Sequence, residues 1–120
     1  MTATPVAADL AAEVDRVVGE HVGELVALRR QLHAHPEVSS AEVQTTRTVA
    51  ERLRIAGLTP TVLARGTGLV CDVVGESPLP LVALRADIDA LAMDDHTTTD
   101  YRSQVPGVAH ACGHDAHTAI

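Results

Sequence analysis

With 120 residues, a net charge of −7 and nine basic residues that are all arginine, the chain holds at most one domain and lacks the basic stripe that nucleic acid or an anionic membrane would need. Apolar residues make up 46% and aromatics only 1%, so the core must be aliphatic: Val, Leu, Ala and Ile. Two cysteines, Cys71 and Cys112, do not make a disulfide framework. The N-terminus has acids where a secretory signal would have its basic segment, and no apolar run is long enough to span a bilayer. These features predict a cytoplasmic protein with reduced thiols.

Residues 1–8 read as a flexible N-terminal arm, and 9–120 as the folded part. From Asp9 to about Leu32, Leu10, Val14, Val17, Val18, Leu25, Leu28 and Leu32 recur at helical spacing. Asp9 is placed to cap that helix, and acids crowd its early turns. Gly19 and Gly23 weaken its middle and predict a kink or close packing. Pro36 disfavours helix at His35, so "HAHPEVSS" reads as a loop. Ser39 and Glu42 fit a capping box that would open a second helix at Ser39, with Val43, Val49, Leu53 and Thr46 as its buried stripe. Gly57 sits where a helix C-terminal glycine belongs.

The period then changes. "LTPTVLAR" and "TGLVCDVVG" are short, rich in Val, Leu and Thr, and separated by Gly66 and Gly68; they read as strands. "PLPLVALRADIDAL" (78–91) reads as a third, with an apolar run suited to burial on both faces. A last helix opens near His114. Two helices, then strands, then a helix indicate an α/β layer structure. No internal repeat or low-complexity linker interrupts it.

Three stretches carry chemistry. In Cys112-Gly113-His114, thiolate and imidazole are good ligands for zinc and similar ions. Ligands at i and i+2 diverge on a regular helix, so they converge only in a turn, which Gly113 permits. The competing reading is a buried cysteine beside a capping turn. In "LRADIDAL" (84–91), Arg85, Asp87 and Asp89 would share one strand face at the end where open α/β sheets place their sites. A pair of buried carboxylates is costly unless a metal ion or Arg85 relieves it; the competing reading is a strand leaving the core into a polar loop. In "RRQLHAHPE" (29–37), His33 and His35 abut a helix C-terminus, where a structural role outweighs ligation. His96 reads as a loop residue. His110 and His117 are candidates for contacts around the ligands or to substrate, and spacing assigns neither.

Together, "LRRQLHAHPEVSS", "VALRADIDAL" and "VPGVAHACGHDAHTA" resemble the N-terminal part of the dinuclear metal amidohydrolases related to carboxypeptidase G2-type peptidases. The nearest branch holds auxin-conjugate hydrolases, hippurate hydrolases and N-acyl-amino-acid deacylases, and the resemblance covers roughly residues 24–120. It implies the N-terminal portion of a zinc-peptidase-like α/β catalytic domain: two helices, then a mostly parallel mixed sheet, incomplete. Cys112 and His114 match the branch's metal ligands, and Asp89 matches the acid that orients the site. Asp87 falls where peptidase relatives have their first histidine ligand. Arg85, His33 and His35 match recurring positions of structural character. The implied cofactor is a pair of divalent ions, manganese or zinc, and the implied substrate a small N-acyl amino acid or similar conjugate, with room for a homo-oligomer in the full-length form. The resemblance also implies a general-base glutamate, a metal-binding glutamate, further histidine ligands and a lid domain downstream of this motif, so the chain reads as a truncated fragment with little activity alone. Ala92 replaces the usual proline of the "DALP" turn. Two other readings compete. One is a small non-catalytic metal-binding or regulatory module, in which Cys112, His110, His114 and His117 hold one ion. The other is a packed polar turn without function.

Overall fold

Pro5 opens the first helix, where its missing N–H costs nothing, and α1 then runs from Pro5 to Ala34. The computed structural model describes residues 5–76 and 80–120, with side chains from Asp9 onward. Residues 1–4 of the expected arm, and 77–79 at the edge of the expected third strand, lie outside the described residues. Asp9 is therefore inside α1 and does not cap it. A helix of this length spans roughly 45 Å, close to the 50 Å longest dimension of the molecule.

Only the last third of α1 is packed. Leu28, Leu32, His33 and Ala34 are buried, whereas Leu10, Val14, Val17, Val18, Val22 and Val26 stand exposed. The apolar stripe was legible, but most of it has no partner among the described residues. Gly19 and Gly23 have nothing within 4 Å of where a Cβ would sit, so neither marks close packing. The helix stops before Pro36, with His35 N–H bonded back to Leu32 O at 3.2 Å.

The second helix, α2, spans Val43–Ile55, and Glu42 at its head makes no side-chain cap. The capping box expected at Ser39 does not form. Glu37 caps the helix from six residues upstream: its Oε1 accepts the Gln44 N–H at 3.0 Å and its Oε2 the Thr45 N–H at 2.6 Å. Thr45, Thr46 and Ala50 form its buried face. Val43 is exposed and Val49 and Leu53 are half-buried, so Thr46 is the buried member of the expected stripe. Gly57 ends the helix as expected, at φ 81°. Leu58 N–H reaches Leu53 O at 2.9 Å and Gly57 N–H reaches Arg54 O at 2.9 Å, closing a Schellman turn.

Two short strands follow, β1 (Thr61–Val62) and β2 (Leu69–Val70). They pair antiparallel, Thr61 opposite Val70 and Val62 opposite Leu69. Thr46 ties this hairpin to α2. Its hydroxyl donates to Glu42 O at 2.6 Å and accepts the Gly68 N–H at 2.8 Å.

The expected third strand is corrected by the structure. Leu81, Val82 and Leu84 are 89%, 76% and 98% exposed, and no described strand lies beside them. A strand without neighbours has unpaired backbone groups and no face to bury. Pairing resumes only at its end. Ala90 bridges Val38 in parallel, and Leu91 bridges Ala109 antiparallel. The described architecture is thus the expected incomplete α/β fold, whose pairings among the described residues are the antiparallel pair β1–β2, the parallel bridge Val38–Ala90 and the antiparallel bridge Leu91–Ala109. The final helix α3, His114–Ala119, opens where the sequence placed it and packs on α1 through a small cluster of Leu28, Leu32 and Ala119. Among the described residues, no helix is long and apolar enough to cross a membrane.

Candidate metal centre

The bridges from Ala90 to Val38 and from Leu91 to Ala109 fix the chain just after Asp89, beside the start of α3. Gly113 supplies the turn between Cys112 and His114, with φ 85° in the left-handed region that glycine adopts without strain. His114 then meets Asp89. Its Nδ1 lies 2.9 Å from Asp89 Oδ1 and 2.9 Å from Asp89 O. Both oxygens are acceptors, so Nδ1 carries the proton and donates. In the neutral ring, Nε2 keeps its lone pair for another partner. The Cys112 thiol is free and exposed; Cys71 is free and half-buried.

Asp87 goes elsewhere. Arg85 donates to Asp87 Oδ1 through its terminal nitrogen at 2.6 Å and its Nε at 3.2 Å. This pair is on the surface, with side chains 85% and 46% exposed. The Arg85 guanidinium holds the Asp87 carboxyl below its ordinary value. The three residues expected to share one strand face are therefore split: Arg85 with Asp87, and Asp89 with His114. Among the described residues, no three His, Cys, Asp or Glu side chains converge as a complete metal site.

A second polar cluster lies behind α3, and most of it was not legible in the sequence. Asp115 is 0% exposed. Its Oδ2 accepts a hydrogen bond from His33 Nδ1 at 2.8 Å and forms an ion pair with Arg29 Nε at 2.9 Å. On its other side His33 Nε2 stands 3.3 Å from Asp95 Oδ2, without hydrogen-bond geometry. Asp95 is itself anchored: Oδ2 accepts the Ser103 N–H at 2.8 Å and Oδ1 the Thr97 N–H at 2.9 Å. Those two donors hold its carboxyl well below the usual carboxylate range. Tyr101 packs edge-on to His33 at 5.5 Å, with the guanidinium groups of Arg29 and Arg30 at 5.3 and 4.9 Å from its ring centre.

The remaining histidines sort by burial. His33 is buried, with its Nδ1 bonded to Asp115. His35 is exposed, and its Nδ1 donates to Gln31 O at 3.0 Å. His110 is buried, and neither ring nitrogen has a hydrogen-bond partner among the described residues; burial lowers its pKa. His117 is exposed, with its ring 6.1 Å from that of His114, and His96 is an exposed loop residue. Two surface hollows between α1 and α2 share Gln31 and Thr48 in their walls, and neither is lined by Asp89, Cys112 or His114.

Comparison with known proteins bears on this geometry. Residues 83–120 match the pattern of peptidase family M20/M25/M40, a span holding Asp89, Cys112 and His114. The chain is 42% identical over 108 residues to an N-acyl-L-amino acid amidohydrolase of Geobacillus stearothermophilus, covering 90% of this chain and 29% of that protein. It is 52% identical over 97 residues to a Rhodococcus jostii protein bearing a glutamate–cysteine ligase name; the match covers 81% of this chain but 12% of that protein. Among solved structures, a dinuclear metal binding peptidase of the M20 family, the YXEP protein of Bacillus subtilis, superposes with a TM-score of 0.77 at 41% identity, covering 81% of this chain and 28% of that one. The chain spans between 12% and 29% of the length of the curated relatives it matches.

Proposed function

We propose that this chain, related by sequence and by fold to the hydrolase family M20/M25/M40, supplies the first part of a divalent-metal centre for amide hydrolysis. Cys112 and His114 are the ligands it offers, and Asp89 is the residue that orients His114. One observation carries this reading: the Asp89–His114 pair, in which Nδ1–H is committed to the acid and its backbone carbonyl. That is the usual arrangement of a metal-binding imidazole, where the far nitrogen's partner fixes the tautomer and raises the basicity of the ligating one.

The donor set fits a metal as part of a site. A thiol and an imidazole flank one glycine in a left-handed turn, and the thiol is accessible. Catalytic zinc takes about three protein ligands, so further donors must come from outside the described cluster. The relatives are several times longer than this chain and have room for them. When bound, a divalent ion would polarise the scissile carbonyl and lower the pKa of water. This chain's own residues would hold and orient: His114 by its fixed tautomer, Cys112 as thiolate, Asp89 by keeping the ring aimed. The substrate class that fits the amidohydrolase relatives is a small N-acyl amino acid, with manganese or zinc as the metal and the cytoplasm as the compartment that keeps Cys112 reduced.

Titration of the purified chain with cobalt(II) tests the ligand assignment. A thiolate-to-cobalt charge-transfer absorption that vanishes in Cys112→Ala and weakens in His114→Ala is expected. A spectrum indifferent to both substitutions would remove the reading. Hydrolysis of a panel of N-acyl amino acids by a protein extended to the length of the relatives then tests the reaction.

A further inference from the structure

The two residues that open α3 face in different directions. Successive helical residues are about 100° apart around the axis, so His114 can meet Asp89 while Asp115 turns inward to α1. Whatever fixes the rotation of α3 about its axis therefore fixes where the His114 ring points. The apolar cluster of Leu28, Leu32 and Ala119 does not do this alone, because apolar contact is non-directional. Nor does α3 hold its own shape, since six residues fall far below the length at which an isolated helix is stable.

We infer that Asp115 is a positioning residue for His114, held in place by Arg29 and His33 of α1. Arg29 and His33 are four residues apart and so share one face of α1. Both aim at a single oxygen, Asp115 Oδ2, at 2.9 and 2.8 Å. One imidazole hydrogen bond and one guanidinium ion pair converge on this buried oxygen, and the hydrogen bond supplies the direction of the lock. The lock is backed from behind: His33 is wedged between Asp115 and Asp95, and Tyr101 lies against both His33 and Arg29. Asp95 is in turn fixed by the backbone of 97 and 103. Thr118 adds one more tie, its hydroxyl reaching Asp87 O at 3.2 Å. Rotating α3 would break the Asp115 contacts and the Asp89–His114 contact together.

The consequence for metal uptake rests on the reading of His114 as a ligand; the consequence for the His114 ring does not. The test uses both. In the metal-free chain labelled uniformly with nitrogen-15, NMR should show His114 held as the Nδ1–H tautomer with a slowly exchanging ring proton. In Asp115→Asn and in Arg29→Met, that ring should become a mixture of tautomers with a fast-exchanging proton, while the signals of Thr46 and Ala50 in α2 stay in place. Arg29→Met covers the case in which Asp115→Asn unfolds α3. A His114 ring unchanged in both variants would overturn the inference. Cobalt(II) affinity should also fall about 10–100-fold in Asp115→Asn, the usual loss when a residue supporting a ligand is changed. Undiminished affinity there would likewise overturn it. A wild-type chain that takes up no cobalt would sink the metal reading alone, and the tautomer measurement would still decide the role of Asp115.

Discussion

Replacing Glu37 with alanine removes the acceptor for two backbone N–H groups at the head of α2, those of Gln44 and Thr45 at 3.0 and 2.6 Å. A helix has four such orphan donors in its first turn, and here one carboxylate satisfies two of them. Loss of an N-terminal cap costs about 0.5–2 kcal/mol, and the negative charge near the positive end of the helix adds roughly 0.3–1 kcal/mol. Because one of the two bonds is part-buried, Glu37→Ala is expected near the upper part of this range, about 1.5–2 kcal/mol. With a urea dependence on the order of 1–3 kcal/mol per molar, the unfolding midpoint followed by far-ultraviolet circular dichroism should drop by roughly 0.5–2 M. Amide exchange at Gln44 and Thr45 should quicken in step. Ser39→Ala, by contrast, should leave the midpoint within experimental scatter, since Ser39 makes no capping bond among the described residues. A Ser39→Ala variant as damaged as Glu37→Ala, or a Glu37→Ala variant as stable as the parent, would refute this account of how α2 begins.

Leu32→Ala should cost about 2–3 kcal/mol, the lower part of the range for a buried leucine, because Leu32 is 4% exposed in a small cluster with room to relax; thermal unfolding checks this. Gly113→Ala should cost roughly 1–2 kcal/mol through backbone strain alone, because φ is 85° and nothing lies within 4 Å of the added methyl; equal stability would mean that the turn relaxes. For Asp95, the folded carboxyl lies below its ordinary value because the Ser103 and Thr97 N–H groups bond its charged form. A depressed acid stabilises the fold above its unfolded pKa and loses that contribution as pH falls through the folded value. Stability should therefore decline as pH drops below about 4, and Asp95→Asn should be weaker at neutral pH with a flatter acid profile. A parallel profile in the two proteins would count against it.

How much of this was legible in the sequence follows from what each feature depends on. The start of α3, the helix-ending glycine at Gly57 and the turn at Gly113 depend on local backbone chemistry, and the residues announce them. The family resemblance marked Asp89 and His114 in two separated motifs without pairing them, and the chain brings them to 2.9 Å. The cap of α2 was misread because Ser39 and Glu42 have the right spacing, whereas Glu37 reaches the same N–H groups across a loop that no local pattern encodes. The stretch 81–85 looked like a buried strand because Leu81, Val82 and Leu84 are apolar, yet burial needs a neighbouring strand and none is present among the described residues. Asp115 and Asp95 drew no attention beside the histidines. An acid in the first turn of a helix reads as an exposed dipole partner, and only the packing of α1 against α3 shows that Asp115 is buried and bonded.

The most direct test of the central claim is the zinc absorption-edge fine structure of the zinc-loaded chain. The account predicts a first shell containing one sulfur near 2.3 Å and imidazole nitrogen near 2.0–2.1 Å, with the sulfur lost in Cys112→Ala. A shell of nitrogen and oxygen alone in the unaltered chain would contradict it.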